Sequence, residues 1–467
     1  MVSIQKVIYG GLLNLPSNIW RTVANPDLAA TEQYNLNKYL YGNGPYIQFS
    51  GFGIDPSIPD NCTLEQVQLY MRHGERFPGL SGGLGYEAVV NKLQAYNQSI
   101  EGPLSFLNDY EWFVPDQALY EYETTPANSK GPYNGQDTGI RAGSSFRSKY
   151  NELYDDSKPL PVFSAASQRV WQTSKFFAQG FLGENYTDDN VDINVISENS
   201  TQGFNTLTPR WGCLNFDPKD NVTYYSAYPN DFQKRIVERL TESNPGLNLT
   251  VSDIPTLFDI CGYETSAMGF SQFCSLFTQD EFVEYSYVKD LMFYYYEGPG
   301  NVHSKDVGWV QLNASLALLK DDTNENKIWL SFSHDTDLEL YHSAIGLFDT
   351  IKPMPNTHMV FQDAYHHIDS IPMAARLVTE KFKYEADGES YIRYIVNDAV
   401  TPIPGCSDGP GFSCKLSDFE DYVADRFDGF DLEDRCAPNA TLPQDLTFYW
   451  DYEGNKDYKF VPPRIVA

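Results

Sequence analysis

The 467-residue sequence is poor in basic residues. Lys and Arg number 33 against 63 Asp and Glu, which gives a formal net charge of −30. A protein that binds nucleic acid needs a positively charged face, so this composition argues against a nucleic acid partner. The acidic residues are spread along the chain rather than gathered in one tail, and they favour solubility near neutral pH.

Long apolar runs and low-complexity tracts are also missing. No stretch reaches the ~20 apolar residues that a membrane-spanning helix needs, so no membrane association is predicted. Hydrophobic residues make up 42% of the chain and charged residues 21%, which is typical of a globular protein. Because 467 residues exceed what one hydrophobic core usually supports, we expect two domains or one large domain with an insertion.

Cysteines are few. The chain has seven, with no Cys-x-x-Cys pair among them, so a zinc site is not predicted. Asn-x-Ser/Thr sequons accompany them at Asn61, Asn97, Asn185, Asn199, Asn221, Asn248, Asn313 and Asn439. The combination favours a glycoprotein that is secreted or held in the cell-wall or periplasmic space. Residues 1–15 lack a clear cleavage site, so we expect residues 1–30 to be mature sequence whose signal peptide is already absent.

The segment richest in chemistry is Arg-His-Gly-Glu-Arg-Phe-Pro at residues 72–78. Apolar residues alternate over residues 67–71, which predicts a strand. Gly74 then permits a sharp turn, and Pro78 ends regular structure. A histidine flanked by two arginines is therefore expected at the exit of a strand, where α/β sheets bind their ligands.

Two arginines around a histidine suit a small oxyanion. Guanidinium groups form paired hydrogen bonds with phosphate oxygens. His73 as a neutral imidazole could attack phosphorus or transfer a proton. The alternative is a loop with a surface salt-bridge cluster around Glu75.

Two further junctions between a strand and a helix carry polar residues. Arg169 follows a predicted strand at 161–166, where backbone donors and the helix dipole favour an anion. On position alone, Arg169 could equally bridge or cap on the surface. The strand predicted at 328–333 ends at His334 and Asp335, a hydrogen-bond donor for phosphate and an acid for a leaving oxygen. Asp335 or Asp337 could instead cap the following helix.

The other five histidines have no comparable setting. The adjacent pair His366 and His367 would face opposite sides of a strand and could not share a metal ion. We therefore predict structural or surface roles for His303, His342, His358, His366 and His367.

On the 72–78 motif and its companions, the sequence resembles the histidine acid phosphatases, in particular secreted yeast acid phosphatases and yeast and fungal phytases. Segments 44–46, 333–335, 397–400, 409–414 and 446–450 share the resemblance, which covers roughly residues 30–455. It implies an α/β fold: a large domain with a central, mostly parallel sheet flanked by helices, and a smaller helical domain inserted in it. We assign 46–90, 136–200 and 301–467 to the large domain, 91–135 and 201–300 to the smaller one, and 1–45 to an N-terminal arm.

The resemblance also implies a reaction. His73 would be the nucleophile that forms a phosphohistidine, and Asp335 the proton donor, with no metal or other cofactor. The phosphoryl group would be held by Arg72, Arg76, Arg169 and His334. Because Asp335 must carry a proton, an acidic optimum is expected.

Small phosphomonoesters are the expected substrates. Phytate is included among them, although residues 79–85 lack the lysines that dedicated fungal phytases place after the signature. Two other classes stay open: a phosphotransferase resembling phosphoglycerate mutase, and a non-catalytic phosphate-binding glycoprotein. A mutase would release little phosphate, and a binding protein would show no turnover.

Cysteine spacing suggests two short disulfide loops, Cys261–Cys274 and Cys406–Cys414. The resemblance supports both and adds Cys213–Cys436. The usual partner of Cys62 would fall near Tyr384, where no cysteine stands, so Cys62 is either a buried thiol or free for intermolecular pairing. The arm at 1–45 is too apolar for a solvated tail, and related phosphatases can form homo-oligomers through such arms.

Overall fold

The structure is a computed structural model, and it describes residues 36–451. Residues 1–30, predicted to be mature sequence, and most of the predicted arm lie outside the described range, so the role of the arm in oligomerisation stays a prediction. Among the described helices, none combines the length and the apolar character needed to cross a bilayer.

A mixed sheet of eight strands forms the centre of the fold. In chain order the strands are β1 Cys62–Arg72, β2 Leu160–Ala165, β3 Val191–Ile196, β4 Ile328–Ser333, β5 Arg376–Tyr384, β6 Ser390–Val396, β7 Ala399–Thr401 and β8 Cys414–Lys415. Their order across the sheet is β3-β2-β4-β1-β5-β6-β7, with β8 beside β6. The first four strands pair in parallel. The last four pair antiparallel, and β5 joins the two halves through β1.

Helices cover the sheet and build a second layer of the molecule. The longer ones are α1 Leu80–Gln94, α2 Gly135–Tyr150, α3 Gln168–Leu182, α4 Asp231–Thr241, α5 Ile254–Met268, α6 Gln279–Tyr296, α7 Ser304–Lys320, α8 Asp335–Ile345 and α9 Leu416–Arg426. Shorter α-helices occupy Val222–Tyr225, His367–Ser370, Leu432–Cys436 and Phe448–Asp451. The 3-10 turns include Gly102–Asn108, Gln117–Leu119, Ser200–Gln202, Pro209–Gly212 and Gln272–Leu276.

The buried apolar residues form two large clusters. One lies between the sheet and helices α2, α3, α7 and α8, with Phe163, Phe177 and Leu330 among its members. The other is helical and includes Val90 and Phe258. The helix α1, which the predicted boundary divides at residue 90, belongs to this second cluster. The two clusters suit a chain of this length, and the domain boundaries stay a prediction.

Glycines allow the helices that carry the site to pack closely. A Cβ on Gly143 of α2 would lie 2.0 Å from the carbonyl oxygen of Phe177 in α3. A Cβ on Gly308 of α7 would lie 1.8 Å from the carbonyl oxygen of Leu340 in α8. Neither backbone could yield without moving its helix, so these glycines set the positions of α3 and α8 against the sheet.

The structure joins the three predicted cysteine pairs, Cys213–Cys436, Cys261–Cys274 and Cys406–Cys414. Cys62 is half-buried rather than fully buried, and it forms no disulfide. In the antiparallel ladder of β1 and β5, Cys62 lies opposite Tyr384. The missing partner of Cys62 would therefore stand directly across the sheet from it.

Candidate active site

Four parallel strands end at one edge of the sheet, and each exit leads to polar residues. The register pairs Arg72 at the end of β1 with Ser333 at the end of β4, and Ala165 at the end of β2 with Ile196 at the end of β3. Because these ends are aligned, the residues that follow them converge. The edge thus assembles His73, Arg169, Glu198, His334 and Asp335.

The loop after β1 is held by hydrogen bonds on both sides. The amide of Gly74 donates to Thr173 Oγ1 of α3 at 2.8 Å, and that hydroxyl donates to Glu123 at 2.6 Å. The amide of Ala374 donates to the carbonyl oxygen of His73 at 2.9 Å. These contacts leave the loop little freedom to move, which orients the histidine.

Gly74 serves a different purpose from the one that the sequence suggested. It does not belong to the glycines with positive φ in the described chain, so its place requires no special backbone freedom. A Cβ there would instead lie 2.3 Å from Glu123 Oε1 and 2.7 Å from Gly135 Cα. Glycine is needed because the loop passes so close to its neighbours.

His73 is buried with one defined tautomer. Its Nδ1 lies 2.9 Å from the carbonyl oxygen of Gly74, which can only accept, so Nδ1 carries the proton. Nε2 is left with a free lone pair. Burial lowers the pKa of His73 well below its usual value, and the charges of Arg169, Arg72 and Arg76 add to this effect. The imidazole is therefore neutral at mildly acidic pH.

Arg72 and Asp335 form an ion pair beside His73. The Nη2 of Arg72 donates to Asp335 Oδ2 at 2.8 Å, and its Nη1 donates to the carbonyl oxygen of Ile371 at 2.6 Å. Asp335 Oδ1 accepts from the amide of Thr336 at 3.0 Å. Burial raises the pKa of Asp335, but the charge of Arg72, together with that of a second arginine beside it, outweighs burial and holds the pKa well below its usual range. The carboxyl is ionised while it faces these cations.

Arg76 and Arg169 complete a group of three guanidinium groups around His73. Arg76 donates to the carbonyl oxygen of Phe77 at 2.9 Å, and Arg169 approaches Nδ1 of His334 at 3.2 Å. Burial and the charge of Arg76 lower the pKa of Arg169 to about 10, so it stays charged in acid. The buried Nε of Arg72, Arg76 and Arg169 has no hydrogen-bond partner within the described part of the chain. The three groups together suit an oxyanion with several acceptor oxygens.

Neither of the two aspartates that could cap α8 serves only as a helix cap. The helix begins at Asp335 with His334 as the N-cap residue, which makes no side-chain cap bond. Asp337 pairs with Arg210, which comes from the turn Pro209–Gly212. Burial raises the pKa of Asp337 to about 7 despite that pairing.

Glu198 is a site residue that the sequence reasoning missed. It follows β3, and its Oε2 lies 3.0 Å from Nε2 of His334. Its Oε1 accepts from the amide of Ser167 at 2.6 Å, at the start of α3. Its place just after the end of a strand is the same signal that pointed to Arg169, and it could have identified Glu198.

A buried cluster beside the site deserves comparison with a metal centre. Within residues 36–451, Glu297, Glu339 and His367 offer ligand atoms that lie within 4.8 Å of one another. However, the amide of Gly42 donates to Nδ1 of His367 at 3.0 Å, which places the ring proton on Nε2, the nitrogen facing Glu339. A protonated nitrogen cannot be a ligand, so this donor set does not fit a metal ion.

The prediction for the adjacent histidines was wrong in its geometry. His366 and His367 do not lie on a strand, because a short helix begins at His367. His366 pairs with Asp290 at 3.0 Å and is partly exposed, whereas His367 is buried and stacks on Phe293. The two rings point in different directions because of the helical backbone, and not because side chains alternate along a strand.

The sequons differ in accessibility. Seven of the eight asparagines are exposed. Asn221 is half-buried, and its Nδ2, the atom that a glycan would modify, donates to the carbonyl oxygen of Tyr295 at 3.0 Å. Asn221 is therefore the least suitable acceptor of the eight.

Comparisons with known proteins bear on this site. The family model described as the histidine phosphatase superfamily (branch 2) matches residues 63–397. A phytase of Candida albicans is 47% identical over 97% of this chain and 98% of its own. An acid phosphatase of Komagataella pastoris is 39% identical over 90% of this chain and 91% of its own. The crystal structure of the phytase from D. castellii superposes with a TM-score of 0.89 and 47% identity, covering 92% of this chain and 93% of that one.

Proposed function

The chain belongs to the histidine phosphatase superfamily (branch 2) and is a phosphomonoester hydrolase, and from that premise we propose how its residues divide the reaction. His73 attacks phosphorus through Nε2. Asp335 protonates the leaving oxygen. Arg72, Arg76, Arg169 and His334 hold the phosphoryl oxygens. The observation that carries this assignment is the free lone pair of His73 Nε2 in the midst of three arginines.

The first step forms one bond and breaks another. The Nε2 lone pair of His73 forms the P–N bond while the P–O bond to the alcohol breaks, and the alcohol oxygen takes the proton of Asp335. In the second step water attacks phosphorus and gives a proton to the Asp335 carboxylate, and the P–N bonding pair returns to His73. The arginines stabilise the charge that the equatorial oxygens carry in both steps.

Asp335 needs a proton that its ion pair with Arg72 discourages. A phosphoryl group placed among the arginines brings negative charge next to Asp335 and engages Arg72, and both effects raise the pKa of Asp335. Below the second phosphate pKa of about 6, the ester also arrives as a monoanion that brings a proton with it. The rate should therefore fall as pH rises through this range.

A substitution at His73 tests the assignment. His73→Ala removes the nucleophile, and we expect turnover to fall by at least about four orders of magnitude, as for other lost nucleophiles. The exposed His358 provides a matched control, and His358→Ala should keep the wild-type rate. Near-normal phosphate release by His73→Ala would overturn the proposed mechanism.

We also propose that phytate is among the substrates. The support comes from the two relatives named phytases, which share 47% identity with this chain. Residues 79–85, which follow the 72–78 motif, include no lysine. The Glu121 carboxylate lies 3.9 Å from Nη1 of Arg169. A negative group beside the arginines will repel a substrate with many phosphates more strongly than one with a single phosphate.

Release of inorganic phosphate from phytate and from an aryl phosphate at mildly acidic pH tests this proposal. Comparable release from both would make phytate a working substrate. Glu121→Gln should raise kcat/KM for phytate several-fold more than for the aryl ester, with the gain shrinking at high salt. Hydrolysis of the aryl ester alone, in both forms of the protein, would contradict phytate as a substrate.

We propose secretion for this enzyme, into the medium or the cell-wall or periplasmic space. Three disulfides favour an oxidising compartment, and seven exposed sequons favour glycosylation. Mass spectrometry of protein from its native source, before and after glycosidase treatment, checks both. Glycans should occupy exposed sequons and spare Asn221, and material without any glycan would contradict the proposal.

A further inference from the structure

The tautomer of His334 poses a problem for its proposed role. A guanidinium group has no acceptor, so Nη2 of Arg169 at 3.2 Å requires a lone pair on Nδ1 of His334. The ring proton is then on Nε2, which donates to Glu198 at 3.0 Å. A lone pair on Nδ1 would repel a phosphoryl oxygen, so the state seen here cannot donate to one from that nitrogen.

Resting on the proposed function, we propose that Glu198 is a positioning residue that lets His334 take up a proton when a phosphoryl group binds. The imidazolium then donates from Nε2 to Glu198 and from Nδ1 to a phosphoryl oxygen. Arg169 leaves Nδ1 and turns its own donors to the phosphoryl group. The proton comes from solvent, and no bond other than N–H is formed.

The surroundings of His334 make Glu198 the group that permits this charge. Cations face the ring from two sides, Arg169 of α3 and Arg210 of the turn Pro209–Gly212, and the His73 ring centroid lies 5.9 Å away. Asp335, the next residue, is already paired with Arg72. Glu198 is the acid in hydrogen-bond contact with the ring, and it is fixed by the Ser167 amide.

The pKa shifts of His334 and Glu198 agree with this geometry. Burial and the charge of Arg169 lower the pKa of His334, and Glu198 partly opposes them. Burial disfavours the Glu198 carboxylate, but its interaction with His334 and its hydrogen bonds from His334 and Ser167 lower its pKa to about 2. The carboxylate is thus ionised at any working pH, and a bound oxyanion supplies the further negative charge that makes the imidazolium stable.

Glu198→Gln separates this role from a structural one. The amide oxygen of Gln can still accept from Ser167, so the loop after β3 keeps its connection to α3. Its NH2 group faces Nε2 of His334 and must find an acceptor there, which removes the support for an imidazolium. We expect kcat/KM to fall at least about tenfold, the effect of one charge-assisted hydrogen bond, with a smaller fall in Tm than Glu198→Ala gives.

The pH dependence and proton uptake give the decisive readouts. In Glu198→Gln the alkaline limb of kcat/KM should move to lower pH, since His334 holds its proton less firmly. Sulfate is a useful probe because it does not titrate at mildly acidic pH. Calorimetry of sulfate binding in buffers of different ionisation enthalpy should show uptake reduced by about one proton per site in the variant.

Two further variants serve as controls. Glu184 is exposed and precedes β3 in the chain. Glu184→Gln should match wild type in kcat/KM, pH profile, proton uptake and Tm. Glu198→Ala loses both hydrogen bonds and should lower Tm as well as kcat/KM. A Glu198→Gln enzyme with the wild-type pH profile and proton uptake would overturn the role of Glu198. Absence of phosphate release by the wild-type enzyme would instead refute the proposed function itself.

Discussion

The two histidines of the site present different nitrogens to the phosphoryl position. His73 holds its proton on Nδ1, against the Gly74 carbonyl oxygen, and offers the Nε2 lone pair. His334 holds its proton on Nε2, against Glu198. In the proposed reaction the first ring attacks phosphorus, and the second becomes charged and donates to a phosphoryl oxygen. The partner of His73 is the next residue of the motif, whereas the contact of His334 with Glu198 forms only when the chain folds.

The residues that resemble a family motif were placed in the site from the sequence alone. Residues that support them were not: Thr173, Glu123 and Glu198 have no motif and are joined to the site by tertiary contacts. His367, for which a structural or surface role was predicted, lies close to Arg72. A Cβ atom added to Gly42 would contact both of these side chains. Distances across the fold, rather than spacing along the chain, identify such residues.

Asp335→Asn tests the acid role at this scale. Asn can keep the hydrogen bond to the Thr336 amide but has no proton to give. Alkyl phosphates, whose alcohols leave poorly, should lose about 10²–10⁴-fold in kcat/KM, which reports the first step, and an activated aryl phosphate far less. Steady-state kinetics on the two esters measure the difference, with the exposed Asp220→Asn as control. Equal losses on both esters would argue against proton donation by Asp335.

At the scale of elements, the aligned ends of parallel strands determine where the chemistry lies. The sequence predicted strands at the places of β1, β2 and β4, and the structure shows all three, with β1 beginning well before the predicted segment. Their order was not predictable from local patterns, because the pairing of β1 with both β4 and β5 joins segments more than 250 residues apart. The close packing of α3 against α2, and of α8 against α7, likewise depends on glycines whose contacts are distant in sequence.

The ladder of β1 and β5 offers a prediction for Cys62. The amide and carbonyl of Tyr384 bond to Glu389 and Gly388, away from β1, so Tyr384 and Cys62 form a non-hydrogen-bonded pair. Such pairs have Cα atoms about 4.5 Å apart, which suits a disulfide. Tyr384→Cys should form a bond with Cys62 and raise Tm by a few degrees.

A count of free thiols in the unfolded protein checks this bond. Wild type should show one free thiol from its seven cysteines and Tyr384→Cys none. Reduction should abolish the gain in Tm relative to reduced wild type. Two free thiols in Tyr384→Cys would show that the register of the ladder differs from the one described.

At the scale of the whole molecule, an acidic chain buries several carboxyl groups. Burial raises the pKa of Glu264 to about 7, although Ser271 and Tyr110 donate to it. Burial and the charge of Asp335 raise the pKa of Glu297 to about 8. Composition predicted a soluble acidic protein, but it could not tell which carboxyl groups are buried, and the domain boundaries likewise await a test.

The direction of each pKa shift determines how the stability of the fold changes with pH. A carboxyl group whose folded pKa is raised holds more protons when folded, so its stabilisation is complete below the unfolded pKa of about 4.3 and is lost as pH rises through the folded value. Glu198 and Glu380, with pKa values lowered to about 2, act oppositely and lose their stabilisation only as pH falls towards that value. Stability should be greatest at about pH 4–5 and decline towards about pH 8.

Glu264→Gln tests the neutral side of this dependence. Its contribution between about pH 4.3 and 7 is at most ~4 kcal/mol, from the size of the pKa shift. The variant should therefore show a smaller fall in Tm across this interval than wild type, while the exposed Glu242→Gln should not. Thermal unfolding followed at a series of pH values gives the comparison. Parallel curves for wild type and Glu264→Gln would mean that Glu264 is not protonated in the fold.

The central claim is that His73 carries the phosphoryl group between the two steps. Phosphohistidine survives alkali, so the most direct measurement is a rapid alkaline quench of the enzyme during turnover of an aryl phosphate, followed by peptide mass spectrometry. We predict a phosphorylated peptide containing residues 72–76, with the group on His73. The phosphorylated fraction should be larger in the Asp335→Asn enzyme, because that variant lacks the base of the second step. Phosphate release without any phosphorylated His73, or with the group on another residue, would contradict the account.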